Sequence, residues 1–149
     1  MSKDIKSLIL DVDGTLISGN KSRVSKDIKT WILNSKKHFH IYLLSNNPSK
    51  NRIKKIANQF NLEFSHSAGK PSTRKLIKVL SKIPYSANEI AIIGDRVFTD
   101  ILVGNRLGMY TILVDSVDYY GKKMEKNNFQ SIERYIARLI TGDSVWQPG

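Results

Sequence analysis

Two aspartates stand close together near the start of the chain, directly after a short apolar run. The run Leu8 to Leu10 predicts a buried strand of a parallel sheet, and Asp11 and Asp13 follow it. Because side chains alternate along a strand, both carboxylates point the same way. Such a pair costs free energy at the end of a buried strand unless a cation or a proton compensates. An ordinary turn is the alternative, but a turn needs neither the second acid nor Thr15.

Three later segments also place polar residues where a strand or a loop meets a helix. They are Ser45-Asn46 after a second apolar run, the isolated lysine of Gly69-Lys70-Pro71, and Asp95 with Asp100 after a third run. Open α/β sheets bind ligands at the carboxyl ends of their strands. We therefore expect these side chains to meet Asp11 and Asp13 at one edge of a sheet.

Strands and helices alternate along the sequence, which predicts an α/β fold. Apolar runs predict five strands, at 8–10, 39–44, 62–64, 89–93 and 110–114, and periodic segments between them predict helices. We place helix starts at Asn47-Pro48, at Pro71 and near Thr99, with a last helix from Ser131. In the helix predicted from Pro71, four residues are predicted to face inward: Leu76, Ile77, Leu80 and Ile83. The pattern predicts a three-layer, Rossmann-like domain with a five-stranded parallel sheet, covering residues 1–149.

Composition excludes several classes of protein. The chain has 149 residues and no cysteine, so it offers neither a thiolate nucleophile nor a cysteine-containing zinc site. No run reaches the roughly 18 apolar residues of a membrane span, and no signal peptide is visible. We therefore expect a cytoplasmic location, or an organelle matrix or stroma, with peripheral contact to a membrane as a further option.

The chain is strongly basic, with 24 lysines and arginines against 13 acids and a formal charge of +11. This favours anionic partners, namely a phosphorylated substrate, an anionic membrane surface or nucleic acid. A general effect on solubility is the alternative. No arginine-rich tract, aromatic RNA-binding signature or zinc finger is present, so we expect no dedicated nucleic-acid binding.

The four polar segments, in this order, resemble the haloacid dehalogenase (HAD) superfamily, whose members are mostly phosphatases. The first of them is the sequence Asp-x-Asp-Gly-Thr directly after a strand. The resemblance implies that Asp11 is the nucleophile and forms an aspartyl phosphate. It implies that Asp13 is the general acid and base, and that Thr15, a substrate-site residue, orients Asp13 by a hydrogen bond.

The resemblance also implies a Mg²⁺ site and a phosphate site. Asp11, Asp95, Asp100 and the backbone carbonyl of Asp13 would bind the cation, although Thr99-Asp100 could instead cap a helix. The Ser45 side chain and the Asn46 backbone N–H would hold phosphoryl oxygens, and Lys70 would pair with Asp11.

The gaps between motifs are too short for a cap domain, so the site is expected to be open or covered by a homo-oligomer partner. Among capless enzymes the chain resembles the YqeG-like group, related to mitochondrial phosphatidylglycerophosphate phosphatases, although that group has Asp-Asn-Thr in place of Asp-Gly-Thr. Four basic residues are expected near the entrance and fit an anionic membrane interface: Lys21, Arg23, Lys50 and Arg52.

These features lead to one main functional hypothesis and two alternatives. The first is a Mg²⁺-dependent phosphomonoesterase, with phosphatidylglycerophosphate as the candidate substrate. The second is a phosphatase of a soluble sugar phosphate or nucleotide. The third is a basic binding protein that keeps the fold without turnover. The presence of all four acids and Lys70 argues against this third hypothesis.

Overall fold

The computed structural model describes residues 4–17 and 23–114, which form one parallel sheet covered by helices. Its five strands lie in the order β3-β2-β1-β4-β5, and all four neighbouring pairs are parallel. Their bounds are β1 Ser7–Leu10, β2 His40–Leu44, β3 Glu63–Ser65, β4 Ile90–Gly94 and β5 Tyr110–Leu113. The predicted five-stranded sheet is confirmed, and β1, the strand that precedes Asp11, lies at its centre.

Four α-helices connect these strands: α1 Lys26–Ser35, α2 Lys50–Asn58, α3 Arg74–Leu80 and α4 Leu102–Arg106. A short 3₁₀ turn, Ala87–Glu89, precedes β4, and a π-helical turn, Val97–Ile101, leads into α4. The predicted helix from Ser131 lies outside the described residues.

The alternation of side chains in β1 divides the core into two clusters, one on each face of the sheet. Leu8 and Leu10 belong to a cluster with the apolar faces of α1 and α2, which include Trp31 and Ile53. Ile9 belongs to the opposite cluster, which contains the buried residues of α3 and α4. Helices therefore cover both faces, and the predicted three-layer arrangement is confirmed.

Two helix starts differ from the prediction because local hydrogen bonds favour turns. Asn47 does not cap α2: its side-chain oxygen accepts the Ser49 backbone N–H at 2.8 Å, and Ser49 becomes the N-cap, accepting the Arg52 N–H at 3.3 Å. Pro71 does not open α3, because the Ser72 N–H donates to the Gly69 carbonyl at 2.8 Å and closes a turn. The helix begins at Arg74.

The inward face of α3 also differs from the prediction. Leu76 and Val79 are buried and Leu80 is partly buried, whereas Ile77 is 52% exposed. Ile83 is buried, but it lies beyond the end of the helix. The described residues between β1 and β3 form only α1, β2 and α2, which agrees with the expected absence of a cap domain. Within residues 4–17 and 23–114, none of the helices has the length and apolar character needed to cross a bilayer.

Candidate active site

The polar motifs meet at the carboxyl edge of the sheet, where they line a cavity of about 170 Å³. Asp11 and Asp13 follow β1, Ser45 follows β2, and Asp95 follows β4. The cavity is lined by Asp11, Asp13, Ser45, Asn46, Asn47, Lys70, Arg96, Thr99 and Asp100. Six of these nine residues were candidates from the sequence. Asn47, Arg96 and Thr99 had not been assigned to the site.

Lys70 is buried and makes three hydrogen bonds that use the full donor capacity of its ammonium group. Its Nζ donates to Asp11 Oδ1 at 2.9 Å, to Asp100 Oδ1 at 2.6 Å and to the Leu44 carbonyl at 3.0 Å. Lys70, Asp11 and Asp100 are all buried, so the loss of any one charge would leave an opposite charge without compensation in the interior. The Lys70–Asp11 contact expected from the sequence is present.

Asn46 holds the loop that carries Lys70. Its side-chain oxygen accepts the Lys70 backbone N–H at 2.9 Å, and its Nδ2 donates to the Lys70 carbonyl at 3.0 Å. The neighbouring Ser45 is buried, and its hydroxyl accepts the Asn47 N–H at 3.0 Å. The asparagine side chain thus fixes the position of the lysine along the cavity wall, a role that the sequence did not indicate.

Asp11, Asp95 and Asp100 each offer a carboxylate oxygen, and these three oxygens lie within 4.8 Å of one another. Opposite ligands of one Mg²⁺ ion are about 4 Å apart, so these residues fit a divalent cation. The alternative that Asp100 caps a helix is not what the structure shows. Its carboxylate is 1% exposed and turned toward Lys70.

Thr15 contacts Asp11 and Asp95, two of the proposed cation ligands, and not Asp13, which was the expected partner. Its hydroxyl donates to Asp11 Oδ2 at 3.0 Å and lies 3.3 Å from Asp95 Oδ1. The predicted bond to Asp13 is therefore wrong, because the turn at Gly14, which has a φ of +82°, directs Thr15 back toward Asp11.

Asp13 is instead held by one residue of α2 and by one residue of the turn that precedes α2. Its carboxylate accepts Asn47 Nδ2 at 3.2 Å and pairs with Arg52 Nη1 at 2.6 Å. The Asp13 side chain is 36% exposed, against 9% for Asp11, so it faces the open side of the cavity. Arg52 was expected at the entrance and is engaged with Asp13. The sequence carries no local signal for this contact, because Asp13 and Arg52 belong to separate elements.

Burial raises the pKa of Asp11 to about 7, against the lowering effect of the Lys70 ammonium. Between its ordinary value of 3.8 and about 7, the folded chain holds a proton that the unfolded chain releases. The contribution of Asp11 to stability therefore falls as pH rises through that window. Burial lowers the pKa of Lys70, but the Asp11 and Asp100 carboxylates outweigh it, so this pKa lies above its ordinary value.

A sequence model described as mitochondrial PGP phosphatase matches residues 1–118, most of the chain. The chain belongs to the mitochondrial PGP phosphatase family.

Two curated proteins are similar to this chain over most of its length. The chain is 28% identical over 138 residues to a Bacillus subtilis protein named "Probable phosphatase YqeG", covering 92% of this chain and 80% of that one. It is 26% identical over 149 residues to the mitochondrial phosphatidylglycerophosphatase GEP4 of Saccharomyces cerevisiae, covering 91% and 78%.

Solved structures of hydrolases share the fold of this chain, among them a predicted HAD-like family hydrolase of Porphyromonas gingivalis, with a TM-score of 0.67 at 14% identity. The cobalt-bound deoxy-D-mannose-octulosonate 8-phosphate phosphatase YrbI of Haemophilus influenzae superposes with a TM-score of 0.61 at 16% identity. The match covers 98% of this chain and 95% of that one. The resemblance expected from the four motifs is confirmed, and the chain is a HAD-type phosphatase.

Substitution of Gly14 tests the position of the Asp95 carboxylate in the site. A Cβ at Gly14 would overlap the Asp95 carboxylate, whereas a Cβ at Gly108, which also has a positive φ, meets open space. We expect Gly14→Ala and Gly108→Ala each to lose about 1–2 kcal/mol of unfolding free energy from backbone strain. Only Gly14→Ala should also weaken divalent-cation binding, measured by calorimetric titration. Equal cation affinity in the two variants would contradict the placement of Asp95.

Proposed function

We propose that this chain is a Mg²⁺-dependent phosphomonoesterase that works through an aspartyl phosphate at Asp11 and acts on phosphatidylglycerophosphate. The observation that carries the proposal is the position of the Asp11 carboxylate. One of its oxygens is bound by Lys70, the other by Thr15, and the cavity lies beside them. A nucleophile held in this way has little orientational freedom to lose in the reaction.

The proposed reaction has two steps. In the first, an Asp11 oxygen forms a bond to phosphorus, the ester P–O bond breaks, and Asp13 gives a proton to the departing alkoxide. In the second, a water oxygen bonds to phosphorus and the Asp11–phosphate bond breaks. Asp13 takes the water proton in this step, which returns both carboxyl groups to their starting states. The exposure of Asp13 on the open side of the cavity suits contact with a leaving group and then with water.

Two donors are proposed to hold the phosphoryl oxygens. They are the Ser45 hydroxyl and the Asn46 backbone N–H, which lie at the cavity wall after β2. The Lys70 ammonium, whose three hydrogen bonds are already made, is proposed to offset phosphoryl charge from its place beside Asp11. Phosphoryl transfer depends mainly on positioning and on the stabilisation of negative charge, which these groups supply.

Asp11, Asp95, Asp100 and the Asp13 backbone carbonyl would bind Mg²⁺. Hard oxygen donors are the ligands that this ion prefers, and the carboxylates lie close enough to share one ion. When bound, the cation neutralises phosphoryl charge and favours the ionised form of Asp11, whose pKa is raised in its absence.

A lipid substrate is favoured by the open site and the basic charge. No cap covers the cavity in the described part of the chain, so a head group can enter while its acyl chains stay in a membrane. The relative GEP4 is named a phosphatidylglycerophosphatase. The second candidate is a soluble sugar phosphate, because YrbI, a phosphatase of such a compound by its name, has the same fold.

Removal of the cation tests the metal part of the proposal. We expect a chelator to abolish phosphate release and added Mg²⁺ to restore it. Mg²⁺ at 100 times its Kd should stabilise the protein by about 2.7 kcal/mol in thermal unfolding. Asp95→Asn should remove both effects, while Asp4→Asn, at an exposed acid outside the site, should keep them. Full activity in chelator would contradict the proposal.

A further inference from the structure

A short apolar segment lies directly beside the catalytic cavity. Arg96 and Thr99 line the cavity, and between them the side chains of Val97 and Phe98 are 50% and 82% exposed. We call residues 96–98 the rim turn. Nothing in the proposed reaction uses these three side chains, yet the turn that carries them borders the cavity that a substrate must enter.

The fold itself turns these side chains outward. Asp100 is directed inward by its bond to Lys70 at 2.6 Å, and its second oxygen accepts the Arg96 N–H at 3.3 Å. The π-helical turn that starts at Val97 then places Phe98 away from Asp100, on the solvent side. The outward position of Phe98 is therefore a consequence of the same contacts that hold Asp100 in the site.

Three of the five large apolar side chains that are exposed in the described residues lie in the rim turn or at the neighbouring end of β5. In residues 4–17 and 23–114 the large apolar side chains that are exposed are Leu33, Ile77, Val97, Phe98 and Leu113. Phe98 is the most exposed of them. Leu113, the last residue of β5, pairs with Gly94, the last residue of β4, and the chain continues from Gly94 into the rim turn. Single exposed apolar residues are ordinary, but a group beside a functional cavity indicates a contact surface.

We propose that the rim turn docks the protein on an anionic phospholipid surface. Phe98 and Val97 enter the boundary between head groups and acyl chains, and the Arg96 guanidinium pairs with lipid phosphates. Apolar side chains next to a cation suit that boundary, which is apolar on one side and negatively charged on the other. The charge of +11 on the chain supplies the long-range attraction to such a surface. The proposal rests on the proposed function in placing a phosphate site next to the turn.

The position of the rim turn favours a lipid surface over a protein partner. Docking through Phe98 brings the mouth of the cavity against the membrane, so that a phosphorylated head group lies within reach of Asp11 while its acyl chains remain in the bilayer. The same contact covers an open site that no cap closes in the described chain. A partner protein seated on Phe98 would instead obstruct the mouth beside it.

The first test measures binding without turnover. The wild type, Phe98→Ser and Ile77→Ser are sedimented with vesicles of phosphatidylglycerol and phosphatidylcholine at low salt. Loss of one buried phenylalanine side chain should weaken vesicle binding by about 10- to 100-fold. Ile77→Ser, at an exposed apolar residue of α3, should bind like the wild type. Equal binding of Phe98→Ser and wild type would overturn the proposal, and so would equal binding to vesicles of pure phosphatidylcholine.

The second test locates the side chain. Phe98→Trp adds an indole at the rim turn, and brominated acyl chains should quench its added emission relative to that of the wild type, which already has Trp31 and Trp146. Absence of quenching would overturn the proposal. Conversion of a wild-type dimer to a monomer by Phe98→Ser, seen in sedimentation velocity, would also overturn it, because Phe98 would then lie between two copies of the chain.

A kinetic ratio separates this proposal from the proposed function. The rate on phosphatidylglycerophosphate in vesicles, divided by the rate on p-nitrophenyl phosphate, should fall about tenfold in Phe98→Ser. An unchanged ratio would overturn the docking. Absence of any phosphate release by the wild type would contradict the phosphatase proposal, while the vesicle-binding result would still decide whether the rim turn docks.

Discussion

Asp11→Asn is expected to lower phosphate release by about 10⁴-fold or more, because the amide that replaces the carboxylate is a poor nucleophile toward phosphorus. Asparagine has nearly the same shape, and its side-chain oxygen can still accept from Lys70. The folded structure should therefore persist. The measurement is the rate of phosphate release from p-nitrophenyl phosphate with Mg²⁺, alongside thermal unfolding of the same sample.

The control for this prediction is a second acid whose removal leaves Asp11 in place. Asp4→Asn, at an exposed acid that pairs with Lys6 and does not line the cavity, should retain the wild-type rate. Acid quenching of the working wild type should trap phosphate on the protein, and Asp11→Asn should trap none. Wild-type turnover in Asp11→Asn would contradict the assignment of the nucleophile and point to direct attack by water.

Lys70→Met is expected to lower the unfolding free energy by about 3–5 kcal/mol, because it leaves the buried carboxylates of Asp11 and Asp100 without their cation. The loss should be largest above pH 7 and should shrink as pH falls, since burial already raises the pKa of Asp11 to about 7 and protonation removes the unpaired charge. Urea unfolding at pH 8 and pH 6 measures both effects.

A double variant separates charge from shape in this result. Lys70→Met with Asp100→Asn should regain part of the lost stability, because one of the two unpaired carboxylates is gone, but should stay inactive. Lys78→Met, near the end of α3, keeps the lysine-to-methionine change outside the site and should unfold like the wild type. A Lys70→Met protein as stable as the wild type would show that the three buried charges do not depend on one another.

The sequence was sufficient to predict most of the fold because parallel strands buried on both faces appear as short continuous apolar runs. Leu8 to Leu10 marked β1 in this way, and the helix periodicity of Ile53 and Ile56 marked the inner face of α2. Lys70 was identified by its place between Gly69 and Pro71 in the order of motifs, a signal that composition alone could not provide among 24 basic residues.

The contacts that the sequence did not reveal depend on how turns direct side chains in space. Thr15 bonds to Asp11 and not to Asp13, because Gly14 reverses the backbone between them. The pairing of Asp13 with Arg52 joins residues from two separate elements, so no local pattern records it. The start of α2 moved to Lys50 for a related reason, since the Asn47 side chain bonds both to Asp13 and to the Ser49 N–H.

Phosphate release from phosphatidylglycerophosphate in mixed micelles tests the central claim most directly. We expect Mg²⁺-dependent release by the wild type that disappears with chelator and in Asp11→Asn. That result would establish the nucleophile, the cation and the lipid substrate together. An inactive wild type that still releases phosphate from a soluble sugar phosphate would contradict the lipid substrate. Release that survives in Asp11→Asn would contradict the proposed chemistry.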